Sequence, residues 1–261
     1  MDQALPVVTS LWLACEAPGK PEIFRSVQGE GPRTGRLRTF VRLAGCNLRC
    51  TWCDTPYTWN WNGTPWPHDR DREGVPHKFD PAAETIRLPL EEVAERILAL
   101  PAPGIVVTGG EPLIQMEELI ALAEALSARK PGLAIEIETN GTIVPGARLA
   151  RLVDLFVVSP KLGHSGNEPK AALRRRTLAA LAALPAAIFK FVARGPEDVE
   201  TVRALAADIG LPPGRVFVMP EGTTSAELTA RGASLIDSVM AAGFSYSDRL
   251  HIHLFGAGRS T

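Results

Sequence analysis

Two kinds of apolar pattern alternate along the chain. Short, nearly continuous apolar runs occur at R-T-F-V-R-L-A-G (38–45), I-V-V-T (105–108), A-I-E-I-E-T (134–139), L-F-V-V-S (155–159), A-I-F-K-F-V (187–192), R-V-F-V-M (215–219) and L-H-I-H-L-F (250–255). Runs of this length bounded by Gly, Pro and polar residues predict buried strands. Between them, 89–100, 117–129, 170–184, 196–209 and 226–242 carry apolar residues at i, i+3, i+4 and i+7, with Pro or Gly at most ends, and predict helices. The alternation calls for βαβ units and a parallel sheet covered by helices.

The polar residues of interest follow the predicted strands. Three cysteines come after the first, T-G-G-E-P (108–112) after the second, E-T-N-G (138–141) after the third, S-P-K (159–161) after the fourth and M-P-E-G (219–222) after the sixth. Polar, Gly-rich segments gathered at the carboxyl ends of parallel strands mark the active edge of a barrel or open α/β sheet. Turn and cap chemistry explains any one of these loops. It explains less well why Glu, Asn, Ser and Lys recur at the same edge.

Residues 56–84 break the alternation. They hold Trp59, Trp61, Trp66, His68 and His77 among several Pro and Gly, and read as a long excursion beside the cysteines. A loop histidine of this kind is expected to be a solvated side chain rather than a metal ligand.

Composition narrows the function classes. With 261 residues, 45% of them hydrophobic and 22% charged, the chain can bury a full core as one large α/β domain. A formal charge of −1 and the lack of an extended basic run argue against a nucleic-acid partner. Arg174, Arg175 and Arg176 fall in a helical pattern and read as a solvated face. No apolar run approaches the ~20 residues of a membrane span, and the apolar start at 5–15 lacks a basic leader, so a cytoplasmic location is expected.

In a reducing compartment, Cys46, Cys50 and Cys53 are better read as metal ligands or redox groups than as a disulfide framework. Structural zinc needs a fourth ligand, which here has to be Cys15 or a loop histidine. A four-iron, four-sulfur cluster held by three thiolates leaves one iron open to bind another molecule. Cys15, the one other cysteine, reads as a small buried hydrophobe.

C-N-L-R-C-T-W-C (46–53) followed by G-G-E-P (109–112) resembles the radical S-adenosylmethionine superfamily, whose open iron binds the amino and carboxylate groups of S-adenosylmethionine. S-V-Q-G-E-G (26–31), F-V-R-L-A-G-C (40–46), W-C-D-T (52–55), S-P-K and the closing L-H narrow the resemblance to the 7-carboxy-7-deazaguanine synthases. It covers essentially the whole chain apart from the Trp-rich insertion, and implies a single domain over 1–261 folded as a partial, open (β/α)6-type barrel. The implied reaction converts 6-carboxy-5,6,7,8-tetrahydropterin to 7-carboxy-7-deazaguanine with loss of ammonia, in queuosine or deazapurine biosynthesis. A 5′-deoxyadenosyl radical starts it at the C6 hydrogen. A glycyl-radical activating enzyme shares the cysteine and G-G-E-P motifs, and a zinc-stabilised binding module is the alternative from another class.

Carried over by the same resemblance, Cys46, Cys50 and Cys53 hold the cluster. Val27, Gln28, Gly29, Glu30, Arg42, Thr108, His251 and Thr261 bind the pterin. Here Arg42 faces a carboxylate, although its strand position also suits solvent, and Glu30 accepts from amino groups. Trp52, Cys53, Asp54, Gly110, Ser159, Pro160 and Lys161 border S-adenosylmethionine, Glu138 takes ribose hydroxyls, and Glu221 with Gly222 lies near adenine. Thr55 matches the family's magnesium position. On the predicted closing strand His251 and His253 share one face. The resemblance also implies a homodimer and an external flavodoxin- or ferredoxin-like electron donor.

Overall fold

The computed structural model describes residues 10–261; of the apolar start, residues 5–9 fall outside. The described chain opens on β1 (Ser10–Ala17), β2 (Lys20–Pro21), β3 (Ile23–Val27) and β4 (Leu37–Leu43). After the cysteine loop, the Trp-rich segment ends in α1 (Pro81–Glu84), followed by β5 (Thr85–Pro89) and α2 (Leu90–Leu98). Next are β6 (Gly104–Gly109), α3 (Met116–Arg129), β7 (Ala134–Thr139), α4 (Ala147–Leu152) and β8 (Leu155–Val158). The chain continues with α5 (Pro169–Ala172), α6 (Arg175–Ala182), β9 (Ala187–Ala193), α7 (Pro196–Asp208), β10 (Val216–Pro220), α8 (Ser225–Ala241), β11 (Ser245–Tyr246) and α9 (Leu250–Phe255).

The strands form one open sheet in the order β11-β10-β9-β8-β7-β6-β4-β1-β2, parallel from β4 through β11. β1 pairs antiparallel with β5 and β3 antiparallel with β4, so the sheet gains an antiparallel margin beyond β4 and does not close. This is the partial barrel that the alternation and the resemblance imply.

The period of two along each parallel strand divides its side chains between two environments. Val41, Ile105, Val107, Ile135, Ile137, Phe156, Val158, Phe189, Phe191, Val216 and Val218 are buried in one continuous core with Leu119, Leu122, Leu126, Val199, Val202 and Leu235 of the covering helices. The alternate positions carry Arg42, Thr108, Glu138 and Lys190, which line a cavity on the other face. The apolar half of each strand anchors the sheet, and the polar half becomes the site.

Three sequence expectations are corrected. The run at 250–255 forms the helix α9, and the last parallel strand is the two-residue β11; a six-residue apolar run does not separate helix from strand by periodicity. The helix expected over 170–184 is two helices, α5 and α6, with Leu173 and Arg174 out of helical geometry between them. Arg174 thus precedes α6, while Arg175 and Arg176 lie in it, all three exposed. His68 is buried, not solvated.

The G-G-E-P segment explains how β6 is tied to the cysteine loop. A Cβ on Gly110 would lie 1.8 Å from the Gly45 carbonyl oxygen, and one on Gly109, at φ +124°, 2.2 Å from that of Leu43. The close approach lets Gly110 N donate to Leu43 O (3.0 Å) and Glu111 N to Gly45 O (2.8 Å). The Glu111 carboxylate, fully buried, accepts from Leu113 N (3.0 Å), Thr139 Oγ1 (2.8 Å) and Asn140 N (2.6 Å), pinning the ends of β6 and β7 together.

Candidate active site

One cavity of about 440 Å³ opens at the carboxyl ends of the parallel strands. Of the site residues carried over by the resemblance, the structure brings all but Pro160 to its lining. Pro160 is buried behind Ser159 and Lys161.

The cysteines sit on the loop after β4. Burial pushes the Cys46 thiol up to about 12 and the Cys50 thiol to about 11, and raises that of Cys53 with help from the neighbouring Asp54. Such thiols ionise readily only when a cation replaces the proton. Leu48 N donates to Cys46 Sγ (3.4 Å) and Asn167 Nδ2 to Cys50 Sγ (3.2 Å), which are donors suited to thiolates. Among the described residues no three His, Cys, Asp or Glu side chains converge on a single-ion position. Three separated thiols fit a cluster whose irons take one thiolate each. Cys15 is fully buried in β1, away from the cavity lining, as a packing residue.

The Trp-rich segment folds against this loop. Asp69 N donates to Thr51 O (2.8 Å), and His68 accepts from Arg70 N at Nδ1 (3.1 Å), so its Nε2–H donates to Cys53 O (2.9 Å). His77 packs on the His68 ring at 5.3 Å and, with Phe79 and Trp59, lines the cavity wall.

A chain of charged groups also lines the cavity and reaches Asp54 beside Cys53. Glu30 is ion-paired with Lys190 and with Arg249 Nε (2.9 Å), and Arg249 reaches on to Asp54 while donating through Nη1 to Gly222 O (2.8 Å). Burial works against the Glu30 charge, but Lys190 and Arg249 outweigh it and hold the carboxyl well below the ordinary range. Beside it Arg42 Nε donates to Glu22 (2.9 Å), whose other oxygen accepts from Tyr57 OH (2.8 Å). Arg42 therefore faces the cavity, not solvent. Gln28 Nε2 bridges Glu136 (2.9 Å) and Glu138 (3.2 Å), and Thr108 Oγ1 donates to Glu138 (2.9 Å). Buried beside Glu138, the Glu136 carboxyl is raised to about 6.

On the adjoining wall Lys161 Nζ donates to Ser159 Oγ (2.9 Å) and lies 5.6 Å over the Trp52 ring. Thr55 Oγ1 is 3.7 Å from Cys53 Sγ. Arg259 crosses the Tyr57 ring at 3.8 Å and donates to Cys15 O (3.0 Å), which brings Thr261 to the lining.

The Radical SAM superfamily model matches residues 41–187. The chain is 37% identical to the 7-carboxy-7-deazaguanine synthase of Pyrobaculum aerophilum over 91% of its own length and 95% of the relative's. It is 35% identical to the synthase of Hyperthermus butylicus over 88% and 90%. The chain belongs to the 7-carboxy-7-deazaguanine synthase family of the radical SAM superfamily. The crystal structure of QueE from Escherichia coli superposes with a TM-score of 0.64 at 26% identity, covering 92% of this chain and 95% of that one. As a radical SAM enzyme, the chain uses a four-iron, four-sulfur cluster and S-adenosylmethionine.

For a member of this synthase family, Lys190 and Arg249 are lining residues that the sequence analysis did not single out. Lys190 had a visible signal, since a lysine inside A-I-F-K-F-V is either exposed or buried with a partner. Arg249 had none, because its partners Glu30 and Asp54 are remote in sequence.

The shift from strand to helix at 250–255 separates the two histidines. Residues two apart on a helix point about 200° apart instead of sharing a face. His251 lines the cavity, held where only a glycine fits at residue 29: a Cβ there would meet His251 Nδ1 at 2.0 Å. His253 is exposed, with Nε2 3.2 Å from Asp248. Burial lowers the His251 pKa, with Glu30 opposing and Arg249 assisting, so the ring near neutral pH is an uncharged hydrogen-bonding group. His251→Ala is expected to cut kcat/KM about tenfold or more, the cost of one or two lost hydrogen bonds, and His253→Ala to leave it within a factor of two. Steady-state kinetics on both variants at equal iron content checks the pair.

Proposed function

We propose that this chain carries out the ring contraction of 6-carboxy-5,6,7,8-tetrahydropterin to 7-carboxy-7-deazaguanine, with Cys46, Cys50 and Cys53 holding the cluster. The observation that carries the reading is the meeting of these thiols and the strand-borne Arg42, Thr108, Glu138 and Lys190 around one cavity. The bound cluster and S-adenosylmethionine supply a carbon radical able to take the substrate's C6 hydrogen. The overall change is loss of ammonia without net oxidation.

The chain's own residues bind, orient and shield. Among the described residues the Arg42 guanidinium hydrogen-bonds only through Nε, which leaves its terminal N–H groups for the substrate carboxylate. Gln28, Thr108 and His251 supply directional bonds to the pterin ring, next to the backbone of Val27 and Gly29. Glu30 is already engaged by two cations, so its part is to hold Lys190 and Arg249 in the cavity wall rather than to accept from the pterin's amino groups alone. Trp52, Asp54, Gly110, Ser159, Lys161, Glu221 and Gly222 bound the other compartment for S-adenosylmethionine. Glu138 bonds to Thr108 and Gln28 at the seam, within reach of either ligand. Fixing both molecules in one dry cavity is the protein's contribution to rate.

The reading includes magnesium at Thr55, where one hydroxyl suffices if waters and substrate oxygens complete the octahedron. Thr55→Ala is expected to lower turnover about tenfold or more at limiting magnesium and to leave the visible spectrum of the cluster unchanged. Activity indifferent to chelator in both proteins rejects the site. A homodimer, an external one-electron donor of flavodoxin or ferredoxin type and a cytoplasmic location complete the reading, supported by the family resemblance. No helix of the described residues is long and apolar enough to cross a membrane. Substrate deuterated at C6 tests the central step: deuterium is expected in 5′-deoxyadenosine, and a 5′-deoxyadenosine pool free of the label rejects it.

A further inference from the structure

The segment after β8 does more than border the cavity. Its continuation, residues 163–167, turns back and docks on the cysteine loop without lining the cavity. Thr51 N donates to Ser165 O (3.0 Å). Gly166, at φ +76°, lies so close to Thr51 that a Cβ would meet the threonine methyl at 2.6 Å. Arg49 N donates to Asn167 Oδ1 (2.7 Å), and Asn167 Nδ2 then donates to Cys50 Sγ (3.2 Å) and to Ser165 Oγ (3.2 Å).

These contacts fix the direction of the amide. A backbone N–H can be met only by the oxygen, so the nitrogen must face the sulfur. The donor comes from 117 residues away in sequence and lies 3.2 Å from its sulfur, whereas the sulfur of Cys46 receives its nearest N–H from Leu48 in its own loop and meets a remote amide, Asn140 Nδ2, only at 4.0 Å. Asn167 does not line the cavity, so neither substrate nor S-adenosylmethionine contact accounts for it.

We propose that Asn167 is a positioning residue that sets the reduction potential of the cluster by hydrogen-bonding the Cys50 thiolate. Reduction adds one electron, from an external one-electron carrier, to a cluster whose sulfurs bear much of its negative charge. An N–H aimed at a ligand sulfur stabilises that added charge and raises the potential. The proposal rests on the reading of Cys50 as a cluster ligand.

Asn167→Leu removes the donor with little change in size. An EPR-monitored redox titration of the reconstituted variant is expected to show the full iron content. At a fixed solution potential its reduced-to-oxidised ratio is expected to fall about tenfold, or ~59 mV for a one-electron couple. Pulsed EPR in D2O is expected to lose an exchangeable proton coupling present in the wild type. An intact cluster with the wild-type ratio overturns the proposal.

If Asn167→Leu holds no cluster, Asn167→Ala is read instead, since it is likewise uncharged, presents no N–H to the sulfur and is small enough not to press on the loop. A lowered ratio supports the proposal. The wild-type ratio, or loss of the cluster here too, overturns it and leaves Asn167 a loop-folding residue. Cys50→Ala separates the two readings. Wild-type cluster content in Cys50→Ala sinks the ligand assignment itself, whereas an unchanged potential in Asn167→Leu sinks only the role of the amide.

Discussion

Replacing Cys46, Cys50 or Cys53 with alanine is expected to abolish turnover and to lower bound iron well below the about four per chain of the reconstituted wild type. Cys15→Ala is expected to retain both. The three loop thiols share one cavity and one environment, in which burial keeps them protonated until iron takes the proton's place. With no spare thiol in the lining, the loss of one cannot be made good. Cys15 is fully buried in β1, off the cavity lining and near Glu22, Glu84 and Arg259, where alanine removes a sulfur atom's packing and no ligand. Iron and sulfide analysis beside a turnover assay reads all four variants, and loss of the cluster from Cys15→Ala would require a four-thiolate site and defeat the open-iron mechanism.

Glu30→Gln is expected to destabilise the protein by about 3–5 kcal/mol near neutral pH, the cost of breaking a buried ion pair from one side. Lys190 would lose its carboxylate partner, while Arg249 would keep only Asp54 at the cavity mouth. The sign with pH follows from the depressed carboxyl of Glu30. Its contribution is complete above the unfolded-state value of about 4.3 and is lost as pH falls below that toward the lower folded-state value. The gap between wild type and variant should therefore be constant from pH 8 down to about 5 and narrow only below about 4. Denaturant titrations across that range check both size and slope, and a gap that widens toward acid would contradict the ion-pair account.

The sheet was legible where strands are buried on both faces and the apolar runs are nearly continuous, as in β6 through β10. The antiparallel margin was not. β2 has two residues, and β3 (I-F-R-S-V) and β5 (T-I-R-L-P) are short and mixed with polar residues, so neither stands out from a loop. α9 was missed for the opposite reason: six residues ending at Gly256 fit either period, and its placement is set by Leu250 N donating to Gly29 O (2.9 Å), a contact across the whole chain.

The cavity followed a similar division. Motif residues from Cys46 to Gly222 were found because their loops follow parallel strands and so converge on one edge, whereas Val27 to Glu30, at the end of the antiparallel β3, came through the resemblance alone. Lys190 was passed over as an ordinary strand position. The expectation that His68 is solvated failed because its segment packs on the cysteine loop, where the ring donates to Cys53 O, and nothing in a Trp-, Pro- and Gly-rich stretch announces which way it folds.

The most direct test of the central claim is mass analysis of the products formed by the anaerobic holoenzyme from 6-carboxy-5,6,7,8-tetrahydropterin, S-adenosylmethionine, magnesium and dithionite, without any protein partner. The account predicts 7-carboxy-7-deazaguanine and ammonia in equal amounts, both abolished by Cys50→Ala. Formation of 5′-deoxyadenosine without the ring-contracted product, or turnover only when a protein substrate is supplied, would contradict it.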